Sequence, residues 1–109
     1  MKDNKISSVR YMEVIIKPSK KKDKKFDAVI DNKKTISFGA KGMSDYTIHK
    51  DKERKERYIS RHKKNENWND YMSAGFYSKH VLWNKPTIGE SIKDLNKKYK
   101  NIKFLYKNN

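Results

Sequence analysis

The 109-residue chain has no cysteine, two prolines and four glycines. Without cysteine there is no disulfide, no thiolate nucleophile and no sulfur-built zinc site. The absence accords with a reducing compartment. No apolar run exceeds three residues, as at 14–16 and 81–83; a helix that crosses a bilayer needs roughly 18. No apolar stretch of about 7–15 residues stands near the N-terminus, so no secretory signal is expected. Acid is scarce too: 13 Asp and Glu stand against 28 Lys and Arg, a formal charge of +15.

What is present argues for a folded chain. Apolar content of 34% with high net charge borders on disorder. Yet 12% of the residues are Phe, Trp or Tyr, large side chains that stabilise mainly when buried. Length suits one domain with a small core. Lys, Asn and Ile make up 44 of 109 residues, the skew that A/T-rich coding DNA produces. Part of the charge is therefore nucleotide bias, because only four of the basic residues are arginine.

Residues 1–10 show no period and read as a flexible basic tail, leaving 11–107 as one small domain. Residues 11–17 (YMEVIIK) are β-rich and run into Pro18, which suits a strand end. Residues 17–25 read as a basic loop. FDAVI (26–30) and TISF (35–38) alternate as strands, with Phe26, Ala28 and Ile30 on one face and Ile36 and Phe38 on another. Asp31-Asn32-Lys33-Lys34 supplies hairpin turn chemistry. Gly39-Ala40-Lys41-Gly42 then breaks the sheet.

Asp51 is the expected N-cap of a helix to about residue 64, with Tyr58, Ile59 and His62 on one face. Residues 65–72 read as a connection. Residues 73–83 form a second helix, apolar around much of its circumference, with Phe76 and Trp83 assigned to the core. Thr87-Ile88-Gly89-Glu90 is a capping box, followed by Ile88, Ile92, Leu95 and Tyr99 on one helical stripe. Residues 102–106 (IKFLY) add a short strand or a docked tail. The expected fold is α+β, with a small antiparallel sheet of about three strands packed against about three helices.

The segments FGAKGMSDYTIHKD, ERKERYISRHKKNENW and SAGFYSKHVLWNKPTIGESIKDL run from Phe38 to Leu95. This stretch, a little over half of the chain, resembles a family of small, basic, functionally uncharacterised proteins encoded by giant and other large double-stranded DNA viruses. Family members often carry Pro where this chain has Lys52, and Trp where it has Tyr77. The resemblance implies a viral origin, replication in an infected cell and a compact unit; the expected location is the viral replication compartment, with the virion as a further option. It carries no mechanism.

The chemistry-bearing residues divide into four groups. Arg54, Arg57 and Arg61 form a stripe along one helix edge, with Lys50 beside it. Arginine grips phosphate bidentately, as lysine does not. The bland alternative is a solvated face with a Glu53–Arg57 pair worth about 0.3–0.5 kcal/mol. The glycine loop around Lys41 lacks the spacing of a phosphate-cradling P-loop and reads better as a strand exit with positive φ. His49, His62 and His80 lack metal-ligand spacing. Trp68 and Tyr71 lie in a polar connection and are candidates for contact with bases.

No catalytic motif stands out, although Asp45, Tyr46, His49 and Arg57 are residues from which a site could be assembled. The expectation is therefore a non-enzymatic protein with no cofactor and no metal. Its partner is nucleic acid, DNA ahead of RNA, and no membrane is involved. Lys41, Lys50, Arg54, Arg57 and Arg61 would contact phosphates, Lys20, Lys21 and Lys22 would form a mobile second arm, and Trp68 would assist. The alternative is a structural or adaptor protein binding other viral proteins through exposed Tyr11, Trp68 or Tyr71.

Overall fold

The computed structural model describes residues 12–64 and 66–108. The tail expected over residues 1–10 lies outside them, as does Tyr11. Three strands follow one another: β1 (Met12–Pro18), β2 (Lys24–Ile30) and β3 (Lys34–Ala40). They pair antiparallel, β1 with β2 and β2 with β3. The turn between β2 and β3 puts Asp31 at φ 50° and Asn32 at φ 58°. Paired positive φ angles match the twist of a hairpin, and Asp and Asn tolerate them. Asp31 also extends the ladder: its N–H donates to the Glu13 carbonyl at 2.8 Å, and its carboxylate accepts from the Glu13 N–H at 2.9 Å.

A fourth strand, β4 (Ile102–Tyr106), returns beside β1 and runs parallel to it, giving the order β3-β2-β1-β4. The α+β class stands, but the sheet has four strands and is mixed, where about three antiparallel strands are expected from pattern. A parallel neighbour needs a long crossover, and the helices between β3 and β4 provide it. These are α1 (Tyr46–His49), α2 (Lys52–His62), α3 (Ala74–Tyr77) and α4 (Ile88–Lys98), with α3 continuing into a π-helical turn (Ser78–Leu82).

One sheet face carries Val14, Ile16, Ala28, Phe38 and Phe104, all essentially inaccessible. Against it pack Phe76, Tyr77, Val81 and Leu82 from the α3 segment and Ile92 and Leu95 from α4. The opposite face presents Ile15, Val29 and Leu105, half-buried in one cross-strand row. The start of α4 is capped by Thr87, whose hydroxyl oxygen accepts from the Glu90 N–H at 3.1 Å and donates to the Glu90 carboxylate at 3.0 Å. Further along, the Asn96 side chain donates to the Phe104 carbonyl at 3.0 Å and accepts from the Phe104 N–H at 2.8 Å. It thus acts as a strand partner for the outer edge of β4, which would otherwise stay open.

Three local expectations need correction. The basic loop is short: Lys24 and Lys25 belong to β2, and residues 19–23 make a hairpin turn closed by the Ser19 N–H on the Lys25 carbonyl at 3.0 Å. Lys20, Lys21 and Lys22 are therefore exposed positions on a short closed turn between β1 and β2. Secondly, β3 runs on through Gly39 and Ala40 before the chain leaves the sheet. Gly39 has φ +79°, and a Cβ there would lie 2.9 Å from Leu82 Cδ1. Thirdly, Trp83 is only half-buried at the margin of the core. Helical spacing places it seven residues after Phe76 on the same face, but the π turn carries an extra residue, with the Trp83 N–H reaching back to the Ser78 carbonyl at 3.1 Å. That rotates Trp83 off the core face and onto α2. Among the described residues, no helix is long and apolar enough to cross a membrane.

Candidate functional site

The start of α2 is fixed by Asp51, whose carboxylate accepts from the Glu53 N–H at 3.0 Å and the Arg54 N–H at 3.4 Å. Its buried face rests on Tyr58. The Tyr58 ring stacks on Trp83 with centroids 4.2 Å apart and planes 3° from parallel, and on His62 at 4.3 Å. His49 tilts against Trp83 at 5.3 Å. This aromatic column ties α1, α2 and the end of the π turn together. Burial, and next the charge of Glu66, push the Tyr58 hydroxyl up to about 12, against the opposing hydrogen bond with Ser78.

Two lysines clamp the same assembly. Lys50, in the left-handed region at φ 57°, donates through Nζ to the Thr47 and Pro86 carbonyls, both at 2.8 Å. Lys55 donates to the Asn84 carbonyl at 2.7 Å and lies 5.1 Å from the Tyr46 ring centroid. Burial, then the charges of Lys85, Lys98 and Lys52, lower the pKa of Lys55 from the usual ammonium range.

With its inner face so anchored, α2 turns Arg54, Arg57 and Arg61 outward, and all three are exposed. Among the described residues none of them pairs with a carboxylate, and the Glu53–Arg57 pair is not formed. Exposed lysine is not localised in this way. It also stands on the β2–β3 turn (Lys33) and the start of β3 (Lys34), on α4 (Lys93, Lys97) and on β4 (Lys103).

A cleft of about 600 Å³ opens between the last turn of α2, the first turn of α3 and the far ends of β2 and β3. Tyr58, Leu82 and Trp83 give it an apolar side, and Lys24 and Arg61 stand on its walls. Glu66 also lines it. One of its carboxylate oxygens meets His62 Nδ1 at 2.8 Å, whereas the other is buried without a hydrogen-bond partner. Gly75 makes room for it, since a Cβ there would overlap the carboxylate. The lining also includes a buried ion pair between Lys25 and Asp45, with N to O at 2.5 Å. Asp45 also caps α1, accepting from the Thr47 N–H at 2.9 Å. A shallower groove next to it is lined by Lys25, Lys41, Gly42, Met43, Ser44 and Ile48.

The residues expected from sequence are thus partly gathered. Arg54, Arg57 and Arg61 share one edge of α2, Arg61 reaches the cleft, and Lys41 lines the neighbouring groove. Lys50 has two of its three protons committed to carbonyls. Trp68 is not on the cleft wall: it is half-buried, with Lys79 Nζ 5.3 Å from its ring centroid and its carbonyl bonded to His80 Nε2 at 3.0 Å. Tyr71 packs against the core. Asp45 is occupied by Lys25 and Thr47, so it does not join Tyr46, His49 and Arg57 as a free catalytic group. The three histidines bond separately, and among the described residues no group of His, Asp and Glu side chains could hold a metal ion. The aromatic column and the Glu66–Gly75 contact escape sequence reading. A glycine inside an otherwise helical apolar pattern is the signal that marks the second.

The model of a family of unknown function (DUF5754) matches residues 14–62, a little under half of the chain. That span runs from β1 to the end of α2 and so includes the arginine edge and part of the cleft. No curated protein and no solved structure matches the chain.

Proposed function

We propose that the chain is a small, non-enzymatic nucleic-acid-binding accessory protein of a large double-stranded DNA virus. It works in the infected cell and contacts the phosphate backbone with little sequence preference. The observation that carries this reading is the outer edge of α2, where three of four arginines stand exposed and, among the described residues, without a carboxylate partner. Guanidinium groups left free in this way are suited to bidentate phosphate contact. Lys41, Lys24 and the turn lysines Lys20, Lys21 and Lys22 add attraction without direction. The viral setting rests on the resemblance of residues 38–95, and DNA is the expected polymer on that ground.

Mobility-shift titration on duplex and single-stranded DNA and RNA tests the reading. The expected result is micromolar binding that weakens steeply between about 50 and 200 mM salt. Replacing Arg54, Arg57 and Arg61 together by Gln should weaken it at least about tenfold. Absence of binding at low salt would overturn the proposal.

A second reading, an adaptor that binds other viral proteins, is favoured by Met43 and Ile48, which are 65% and 60% exposed and line one groove. Cross-linking in purified particles checks it: a specific partner captured through that groove supports it, and absence from particles with no partner recovered removes it.

A further inference from the structure

We infer that the outer edge of β3 takes up an extended acidic segment of another protein, which joins the four-stranded sheet as a further strand. No residue of α2 takes part, so this edge stands apart from the arginines. The order β3-β2-β1-β4 leaves an edge on each side. Asn96 closes the β4 edge by bonding both backbone groups of Phe104. The β3 edge has no such cover. Backbone groups of a strand point alternately to its two sides, and the bonds at the ends of β2 set the alternation. Lys25 accepts from Ser19 and Asp31 donates to Glu13, so the odd positions of β2 face β1. Ile30 accepts from Lys33, so the even positions face β3. The register pairs Ile36 with Ala28 and Phe38 with Phe26. Ile36 and Phe38 therefore bond inward, and Thr35 and Ser37 turn their N–H and carbonyl groups outward. Among the described residues, no turn, loop or side chain supplies those groups with a partner. Thr35 is exposed and Ser37 half-buried.

An open edge pairs with any extended chain that can approach it. Charge decides which chain that is. Lys33 and Lys34 stand exposed at one end and Lys41 beyond the other, and among the described residues none of them pairs with a carboxylate. Asp27, opposite Ser37 in the register, is engaged by the Ser37 hydroxyl at 2.7 Å. A second copy paired antiparallel about a two-fold axis at Ser37 would set Lys33 of one copy against Lys41 of the other, between chains of +15 each. Lysine at a sheet edge guards against that pairing. The same lysines attract a segment with Asp or Glu at both ends. Between its ends the segment alternates. Its residue opposite Ile36 lies on the helix side of the sheet and is apolar, while those opposite Thr35 and Ser37 lie on the other side and are polar. Gly39, at φ +79°, breaks the alternation of β3 and ends the pairing stretch.

The test uses the full chain and a labelled peptide of about nine residues, long enough to span β3, with alternating valine and threonine in the middle and glutamate at both ends. Anisotropy titration should give micromolar binding. The same peptide with a central proline keeps its charge but lacks an N–H, and should bind at least about tenfold more weakly, the scale of one or two lost main-chain hydrogen bonds. Lysine in place of the terminal glutamates should abolish binding. Amide hydrogen exchange at Thr35 and Ser37 should slow when the acidic peptide is bound. Thr35→Pro removes an outward N–H and spares the β2 ladder, a change edge strands tolerate, and should weaken binding about tenfold. If that variant melts early, Lys34→Glu combined with Lys41→Glu makes the same test through charge. Replacing Arg54, Arg57 and Arg61 by Gln should weaken the peptide less than this pair does. Equal affinity for the acidic and the proline-interrupted peptides would overturn the inference, as would no binding at about 50 mM salt. Protection confined to residues 42–48 would overturn it and move the segment to the groove of Met43 and Ile48. Slowed exchange at Thr35 and Ser37 with single-stranded DNA, or with rising protein concentration alone, would overturn it too, giving the edge to nucleic acid or to a second copy.

Discussion

Single residues in this protein carry constraints that composition hides. Gly39 is one: it combines φ +79° with a virtual Cβ 2.9 Å from Leu82 and 3.2 Å from the Lys25 Cβ. Gly39→Ala therefore meets backbone strain and overpacking together, and should destabilise by about 2–3 kcal/mol in urea unfolding. A loss below about 0.5 kcal/mol would show that the sheet yields there. His80 is another. Its Nε2 must carry the proton, because it bonds to the Trp68 carbonyl at 3.0 Å. Its Nδ1 is buried without a partner. Burial lowers its pKa to about 4 from an ordinary 6.5, outweighing the bond to Trp68. The unfolded chain then binds more protons between those values. The contribution, about 3 kcal/mol at most, is full above pH 6.5 and is lost as pH falls towards 4. His49, also lowered, mainly by burial and then by Arg54, adds a loss of the same sign. Thermal melts from pH 7 to 4 should fall for the parent chain and fall less steeply for His80→Gln. Parallel curves would sink the assignment.

At the scale of elements, what could be read early and what could not divide by sequence separation. Alternating FDAVI and TISF gave strands, and Asp51 and Thr87 gave helix starts, because caps and pleats are local. The pairing of β4 with β1 joins residues about ninety apart, and no local pattern encodes it. The same holds at the candidate site. The arginine edge follows from helical period alone, whereas Lys25 meets Asp45 only after β3 has folded beside β2. The π turn is the clearest failure of period, since one extra residue moves Trp83 from the core to Tyr58. The contact between α4 and β4 carries its own test. Asn96→Ala leaves the Phe104 N–H and carbonyl without protein partners at a sheet edge. It should cost about 1–2 kcal/mol and speed amide hydrogen exchange in β4 before that in β2. Uniform exchange rates would mean that the strand is held by β1 alone.

For the whole molecule the question is whether the charge of +15 acts as a field or as a face. Lysine is distributed over turns, helix exteriors and β4, as a coding bias would leave it, and three arginines are gathered on α2. A field predicts that affinity for nucleic acid follows net charge, wherever the charge is removed. A face predicts that position decides. Replacing Lys33, Lys34, Lys93 and Lys97 by Gln removes four exposed charges at positions away from α2. Replacing Arg54, Arg57 and Arg61 by Gln removes only three. These arginines are exposed and, among the described residues, unpaired, so neither set should shift the melting midpoint by more than the equivalent of about 0.5 kcal/mol per residue. If the arginines contact phosphates, their loss reduces the slope of log affinity against log salt by about 3, since each contact releases roughly one counterion. The four lysines should change that slope by less than about 1. The smaller charge removal should therefore have the larger effect, and the reverse order would mean that the arginine edge is only a solvated helix face.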